Sequence, residues 1–456
     1  MQKLVVIGGD AAGMSAASTA RRLKGAEELD IVVFEQGDTT SYAACGIPYW
    51  IADLVTAREN LIARAPDVFR DKQQIDVRIR HRATAIDATS KTVTATNLDT
   101  GEEVTVAYDD LLIATGASPI VPPIDGVDLP GVYPVKTLPD GDKIRDALAT
   151  RDVKTVAVVG AGYIGIEMAE AFMLRGFNVE LIDAADTPLV RLDETLGQMV
   201  ADSMRDANIR VTLGQPVTGF RSGPDGFVSH VVTAEQEIAC DLVVLGLGVK
   251  PNAQLARDAG CAIADNGGIV TDERQETTVP HIYAAGDCTS QTHKVSGLPV
   301  AIALGTVANK QGRCAGTNLG GGQARFPGVL GTAVTRVLDV EIGMTGLSLE
   351  QAKAAGFAAT AVNVTAPSRA HYYPGGENMT IRLVAEQGSG RLLGAEIVGG
   401  DAAAKRIDTL ATAIWNNMTA EELSDMDLSY APPFSPVYDP VLQAARVMAS
   451  TIERGR

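Results

Sequence analysis

Long apolar runs are missing from this chain. No stretch approaches the roughly 18 to 20 apolar residues that a membrane-spanning helix needs, and the longest candidates, such as 242–249, have strand length. The N-terminus runs from Met1 into a strand pattern at 3–7 and a glycine turn, without the apolar region and cleavage site of a secretory leader, so a cytoplasmic protein is expected. Cysteine is scarce. Cys45, Cys240, Cys261, Cys288 and Cys314 form no CxxC pair and no Cys/His cluster of metal spacing, which argues against a disulfide scaffold and leaves no metal site to expect. Positive charge is in deficit too: 39 Lys+Arg against 56 Asp+Glu give −17, a field that repels nucleic acid and anionic membrane. Neither is an expected partner. Anionic cofactors stay compatible, because a helix N-terminus binds phosphate locally whatever the global charge.

Glycine, by contrast, is abundant, at 46 of 456 residues, and the length calls for more than one core. Two segments read as strand, glycine turn, helix, strand. The first has a strand at 3–7, the turn Gly8–Gly13, an Ala-rich helix to about 24 and a strand at 30–34. The second has 155–159, Gly160–Gly165, a helix to about 175 and 178–182. Continuous apolar strands of this kind suit a parallel sheet buried on both faces. Further buried strands at 111–116 and 242–248, followed by Pro119–Pro123 and Pro251, read as crossings between the two units. From about 326 the pattern changes to strands at 334–338, 360–364, 380–384 and 392–398, with helices near 401–415 and 420–423. The expected fold is α/β with two Rossmann-like domains, one inserted in the other, and a C-terminal α+β domain. The boundaries are 1–118 with 247–325, 119–246, and 326–456.

Gly160-Ala161-Gly162-Tyr163-Ile164-Gly165 matches GxGxxG in full, between a strand and a helix. Asp183, ending the next strand, is placed to accept from ribose hydroxyls; Ala184 and Ala185 follow, with no Arg for a 2′-phosphate, which favours NADH over NADPH. Gly8-Gly9-Asp10-Ala11-Ala12-Gly13 departs from the pattern, with Asp10 where the second glycine normally stands. Glu35, 22 residues after Gly13, supplies the ribose-binding acid. Far along the chain a strand ends in Gly286-Asp287, where a carboxylate can accept from the ribityl chain of a flavin.

These elements, with Thr115-Gly116 closing LLIATG, resemble in type and order the pyridine nucleotide–disulfide oxidoreductases over nearly the whole chain. The resemblance implies FAD on the first fingerprint, NAD(P)H on the second, and a dimerisation domain that makes a homodimer. The implied cofactor-binding set is Gly8, Gly9, Ala12, Gly13, Glu35, Ser41, Thr115, Gly116, Gly160, Gly162, Tyr163, Ile164, Gly165, Asp183, Gly248, Gly286 and Asp287.

Ser41-Tyr42-Ala43-Ala44-Cys45-Gly46-Ile47-Pro48-Tyr49-Trp50 carries the thiol. The family's dithiol members need a second cysteine where Trp50 stands, so a single cysteine is expected to exchange electrons with the flavin. The apolar run at 47–55 with Pro48 suggests a helix whose dipole lowers the Cys45 pKa. The other four cysteines read as structural, Cys288 among them although it adjoins Asp287. The segment resembles the single-cysteine branch: coenzyme A disulfide reductases, NADH oxidases and peroxidases, and per- or polysulfide reductases. Ala11 stands where oxidase and peroxidase types typically carry histidine, and Tyr430-Ala431-Pro432-Pro433-Phe434-Ser435 resembles the disulfide-reductase ending. His371–Gly375 and Lys405–Asp408 are further matches. The resemblance implies Cys45 as the thiol, Tyr430 with one of Tyr372 and Tyr373 as proton donors across the dimer, and Arg22 on the substrate. Thr19, Ala44 and Gln73 depart from polar or cationic residues of close relatives, which weakens coenzyme A as the ligand. The first reading is NADH-dependent reduction of a coenzyme A-type disulfide. The runner-up is oxygen or peroxide reduction, followed by per- or polysulfide reduction and then by quinone or metal-ion reduction. Against a non-catalytic flavin sensor stands Cys45 itself.

Overall fold

Val5, Val6, Val33 and Leu112 belong to strands that leave no polar face, and such strands come to rest inside a parallel sheet. In the computed structural model, which describes residues 1–455, the first sheet has five parallel strands. Their order is Ile282–Ala284, Asp110–Ile113, Gln2–Ile7, Leu29–Phe34 and Asp76–Arg78. A second parallel sheet repeats the plan with Val132–Pro134, Leu242–Leu245, Thr155–Val159, Asn178–Ile182 and Arg210–Thr212. The repetition goes further than the glycine loops announce. In both units a three-stranded antiparallel sheet, His81–Asp87 to Glu103–Ala107 or Val217–Ser222 to Glu237–Ala239, precedes the strand that returns beside the first. The two units differ in the edge strand beyond that one. Ala117–Pro119 and Val249–Pro251 run side by side as an antiparallel pair, after which Ile282–Ala284 completes the first sheet.

The third sheet is antiparallel, in the order Ala333–Val337, Val340–Gly346, Leu392–Gly399, Asn378–Glu386, Ala359–Pro367. Ile381, Leu383 and Ile397 pack with Leu410 of the helix Ala403–Trp415 and Met448 of the helix Pro440–Gly455. Several boundaries move from the sequence reading. The strand expected over 111–116 stops at Ile113, and Gly116 turns the chain at φ 65°. The strand expected to 248 stops at Leu245. The helix expected from 401 begins at Ala403, because Ala402 is left-handed at φ 68°. Val340–Gly346 and Pro440–Gly455 were not anticipated; Gly343 and Gly346 dilute the first pattern.

Gly305–Leu319 is another unanticipated helix, rich in Gly, Asn and Thr. It lies against Ala11–Leu23 at backbone contact. A Cβ on Gly312 would sit 2.3 Å from the Ala12 carbonyl oxygen, and one on Gly316 2.3 Å from that of Ala16.

Candidate active site: two glycine loops, one exposed thiol and a basic pocket

Each glycine loop clamps its strand to its helix. A Cβ on Gly13 would lie 1.9 Å from the Gly8 carbonyl oxygen, and one on Gly165 1.8 Å from that of Gly160. Any larger residue forces the two elements apart. The helices that follow, Ala11–Leu23 and Tyr163–Leu174, have no side-chain cap, whereas Asp193, Ser348 and Thr419 cap helices elsewhere. Their first-turn N–H groups therefore suit an anionic ligand. Both acids tie down their own loops. Glu35 Oε2 accepts from Gly9 N at 2.6 Å and Oε1 from Gly37 N at 2.6 Å. Asp183 accepts from Ala161 N and, at 2.8 Å, from Ala185 N. Tyr163, which opens the second helix, buries a hydroxyl that has no hydrogen-bond partner among the described residues.

A cavity of about 450 Å³ brings together Gly8, Asp10, Glu35, Thr115, Gly116 and Asp287, with Tyr42 and Lys136. Gln311 fixes the turn that carries Asp287, accepting from Gly286 N at 2.9 Å and from Thr289 Oγ1 at 3.1 Å. Asp287 Oδ2 accepts from Lys136 Nζ at 2.9 Å. Burial, then the charge of Glu35, pushes the Asp10 carboxyl up to about 6. Loop, ribose acid and ribityl-side acid in one cavity fit a flavin dinucleotide.

Other expected residues sit behind these surfaces. Gly9 packs on Glu35, and Ala12 fills the space beside Gly286. Gly248, at φ 87°, accepts from Ile120 N at 2.9 Å where the crossings run together. Ser41 lies at φ 47°, donates its N–H to Gly9 O at 3.2 Å, and faces a different pocket.

Cys45 is exposed and the other four cysteines are buried. Burial pushes the Cys288 thiol up to about 11, and its sulfur lies 3.3 Å from Ala285 O. Cys45 occupies a 3-10 turn, Ala44–Gly46, ahead of a helix of only five residues, Ile47–Ile51. Here the expectation of a lowered pKa is overturned. Surrounding protein desolvates the thiol and Glu167 repels its anion, so the pKa is raised, with Lys136 opposing. A single helical turn carries too little dipole to reverse this. Glu167 went unnoticed in the sequence; it accepts from Thr335 Oγ1 at 3.3 Å, and burial pushes its carboxyl up to about 7.

Tyr372 and Tyr430 meet hydroxyl to hydroxyl at 3.4 Å on the third domain, with Tyr373 exposed nearby in sequence. Among the described residues, no hydrogen bond or ring contact joins this pair to Cys45 within one chain. Arg406 knits the segments that carry the tyrosines. It pairs with Asp439 at 3.0 Å and donates to Ser368 O at 3.2 Å and Phe434 O at 2.9 Å.

Arg22 lines a second cavity, of about 430 Å³, together with Arg64, Lys310, Arg313 and Ser41, and no acid is among its lining residues. Thr19 accepts from Arg22 at 2.7 Å, and the Arg64 guanidinium lies 5.2 Å from the Phe69 ring centroid. In a chain of net charge −17 this is a concentrated anion site. Arg64 and Lys310 with Arg313 were missed. The i,i+3 basic pair was visible, but the helix presenting it was not.

Residues 2–312 match the family described as pyridine nucleotide-disulphide oxidoreductase, and 332–440 match its dimerisation domain. A Pyrococcus horikoshii NAD(P)H coenzyme A polysulfide/persulfide reductase is 40% identical over 98% of both chains. A Staphylococcus haemolyticus coenzyme A disulfide reductase is 30% identical over 95% of this chain and 96% of its own. The solved structure of an NAD-dependent persulfide reductase from A. fulgidus superposes with a TM-score of 0.95 at 38% identity, over 99% of this chain and 84% of that one.

Proposed function

The chain belongs to the pyridine nucleotide-disulphide oxidoreductase family, and from that premise we propose that it uses NADH to reduce a sulfur–sulfur bond carried by coenzyme A. The observation that carries the substrate class is the basic pocket of Arg22, Arg64, Lys310 and Arg313. It is joined to the thiol segment by Ser41, whose carbonyl accepts from Ala63 N at 2.9 Å. A nucleotide with three phosphate groups is a ligand that such a pocket rewards. Arg64, Lys310 and Arg313 offset the polar groups missing at Ala44 and Gln73.

FAD, held by Glu35 and Asp287, would supply the redox chemistry that relays an electron pair from the nicotinamide to sulfur. The chain's residues do the rest. Cys45 Sγ, as thiolate, attacks the coenzyme A disulfide, forming a mixed disulfide and expelling one coenzyme A thiolate. The electron pair then cleaves the mixed disulfide, restoring the Cys45 thiolate and releasing the second. One NADH and one proton thus convert a disulfide into two thiols. Tyr430 of the partner subunit, with Tyr372 of the partner subunit hydrogen-bonded to it, donates a proton to the leaving thiolate. Exposed Phe434, Val437 and Tyr438 beside Tyr430 suit burial in a homodimer. The acids Glu35 and Asp287 hold FAD, and Asp183 selects NADH.

A second reading replaces the disulfide with a coenzyme A persulfide or polysulfide, favoured by the Pyrococcus relative. Ala11 leaves the first glycine loop without the histidine expected for oxygen or peroxide chemistry.

Intact mass of the purified protein, before and after thiol reduction, tests the proposal. A coenzyme A mass on the chain, removed by reduction and absent in Cys45→Ser, is expected. A stable oxygen adduct with rapid NADH-driven oxygen consumption would overturn it. Arg22→Gln with Arg64→Gln is expected to raise KM for coenzyme A disulfide by about 100-fold or more, the effect of removing two charge-assisted hydrogen bonds of about 1.5 kcal/mol each, while KM for NADH is unchanged. Parallel rises for both substrates would show that the pocket is structural.

A further inference from the structure

Coenzyme A is longer than the basic pocket that receives its phosphate groups. Its thiol arm has to run to Cys45, past Ser41, which lines that pocket and belongs to the thiol segment. Its adenine therefore leaves on another side, and the cations show where. Lys310 and Arg313 also line a further cavity, of about 830 Å³, whose lining does not include Arg22, Arg64 or Ser41. Two residues common to both linings make the cavities neighbours across the helix Gly305–Leu319.

The further cavity is built differently from the first. Val307, Phe326 and Leu330, all buried, give it apolar walls. The third domain contributes Asp408 and Trp415 from the helix Ala403–Trp415. Lys294 Nζ lies 4.9 Å from the Trp415 ring centroid, a cation–π contact that steadies the indole. Asp408, which accepts from Lys405, adds acceptor oxygens. An aromatic surface, apolar walls, an acceptor and two cations together suit a purine joined to phosphates. An apolar tail would leave the cations unpaired, and a bare phosphate would leave the walls wet.

We propose that this cavity is the base end of the substrate site: the adenine of coenzyme A stacks on Trp415, Asp408 accepts from its amino group, and the phosphate groups pass over Lys310 and Arg313. This rests on coenzyme A being the carrier of the sulfur. The ligand then spans from the first nucleotide unit to the third domain, and the residues that recognise its base are not those that handle its sulfur. A sulfur substrate without the adenosine binds through the cations alone.

Titration calorimetry of the reduced, flavin-loaded protein tests this, with coenzyme A and with 4′-phosphopantetheine, which has the same thiol arm and no adenosine. Trp415→Ala is expected to raise Kd for coenzyme A about tenfold, the effect of losing one stacked base, and to leave Kd for 4′-phosphopantetheine unchanged. Trp415→Phe keeps a ring and is expected to stay within about threefold of the parent for both. The chain has two tryptophans, Trp50 at 6% exposure and Trp415 at 37%. Coenzyme A is therefore also expected to quench tryptophan emission more than 4′-phosphopantetheine does, and the difference to vanish in Trp415→Phe. Parental affinity for coenzyme A in Trp415→Ala would overturn the proposal, because the base would then lie elsewhere. Equal weakening of both ligands would overturn it too, because the indole would then only support the fold. A parent that binds neither ligand would instead overturn the coenzyme A reading itself.

Discussion

Cys45→Ser is expected to lower disulfide turnover by about 10³-fold or more, some 4 kcal/mol of barrier, while NADH still bleaches the flavin at an undiminished rate. The two half-reactions separate because they use different parts of the chain. Hydride delivery is assigned in the proposed mechanism to the Gly160–Gly165 loop and Asp183, which the serine does not replace. Sulfur exchange depends on a sulfur nucleophile that attacks as its thiolate, and a serine hydroxyl is far harder to ionise than a thiol. No second thiol can stand in, because Cys288, Cys240, Cys261 and Cys314 are all buried. Stopped-flow flavin absorbance and steady-state thiol release, measured on the same preparation, check both halves. Turnover surviving in the serine variant would sink the thiol mechanism and leave the flavin assignment standing.

Asp183→Ala combined with Ala184→Arg is expected to change the NADPH-to-NADH ratio of kcat/KM by about 10³-fold. A carboxylate facing a 2′-phosphate repels it, and a guanidinium in the adjacent position binds it in forked fashion. The structure sharpens how this must be done. Asp183 also accepts from Ala161 N and Ala185 N, so it anchors the glycine loop in addition to the selecting role proposed for it. Its removal is expected to cost about tenfold in kcat/KM with either nucleotide, one or two hydrogen bonds to a charged group. Ala184→Arg alone keeps the anchor and the repulsion, and is expected to shift the ratio by less than the double variant. Initial rates of flavin reduction at fixed ionic strength with both nucleotides decide the matter. Unaltered NADH selectivity in the double variant would mean that Asp183 does not face the ribose.

What was legible in the sequence was whatever repeats a local rule. Val5, Val6, Val158 and Val159 announce buried parallel strands because both faces are apolar, and Gly8 and Gly160 announce loops because nothing larger fits. The duplicated antiparallel meanders were less visible, since strands such as Arg82–Ile86 alternate polar and exposed residues over only a few positions. Gly305–Leu319 was hidden for a stronger reason. Its glycines are unfavourable for a helix in isolation and are there to let Ala12 and Ala16 approach, a requirement set by an element some 300 positions away. The same distance concealed the basic pocket, whose cations come from three separate stretches. The thiol was found from its motif, but its electrostatics were misjudged. A dipole argument needs a helix of several turns, and the sequence does not show that this one ends at Ile51.

That buried helix contact has a mechanical meaning. Gly312 and Gly316 leave no side chains between the helices to deform, so Gly305–Leu319 and Ala11–Leu23 move as one stiff body. One face of this body carries Gln311, which holds the Gly286–Asp287 turn; another presents Lys310 and Arg313, with Arg22 from the companion helix. The basic pocket and the Gly286–Asp287 turn are thus held by one pair of helices, like fittings on a single beam.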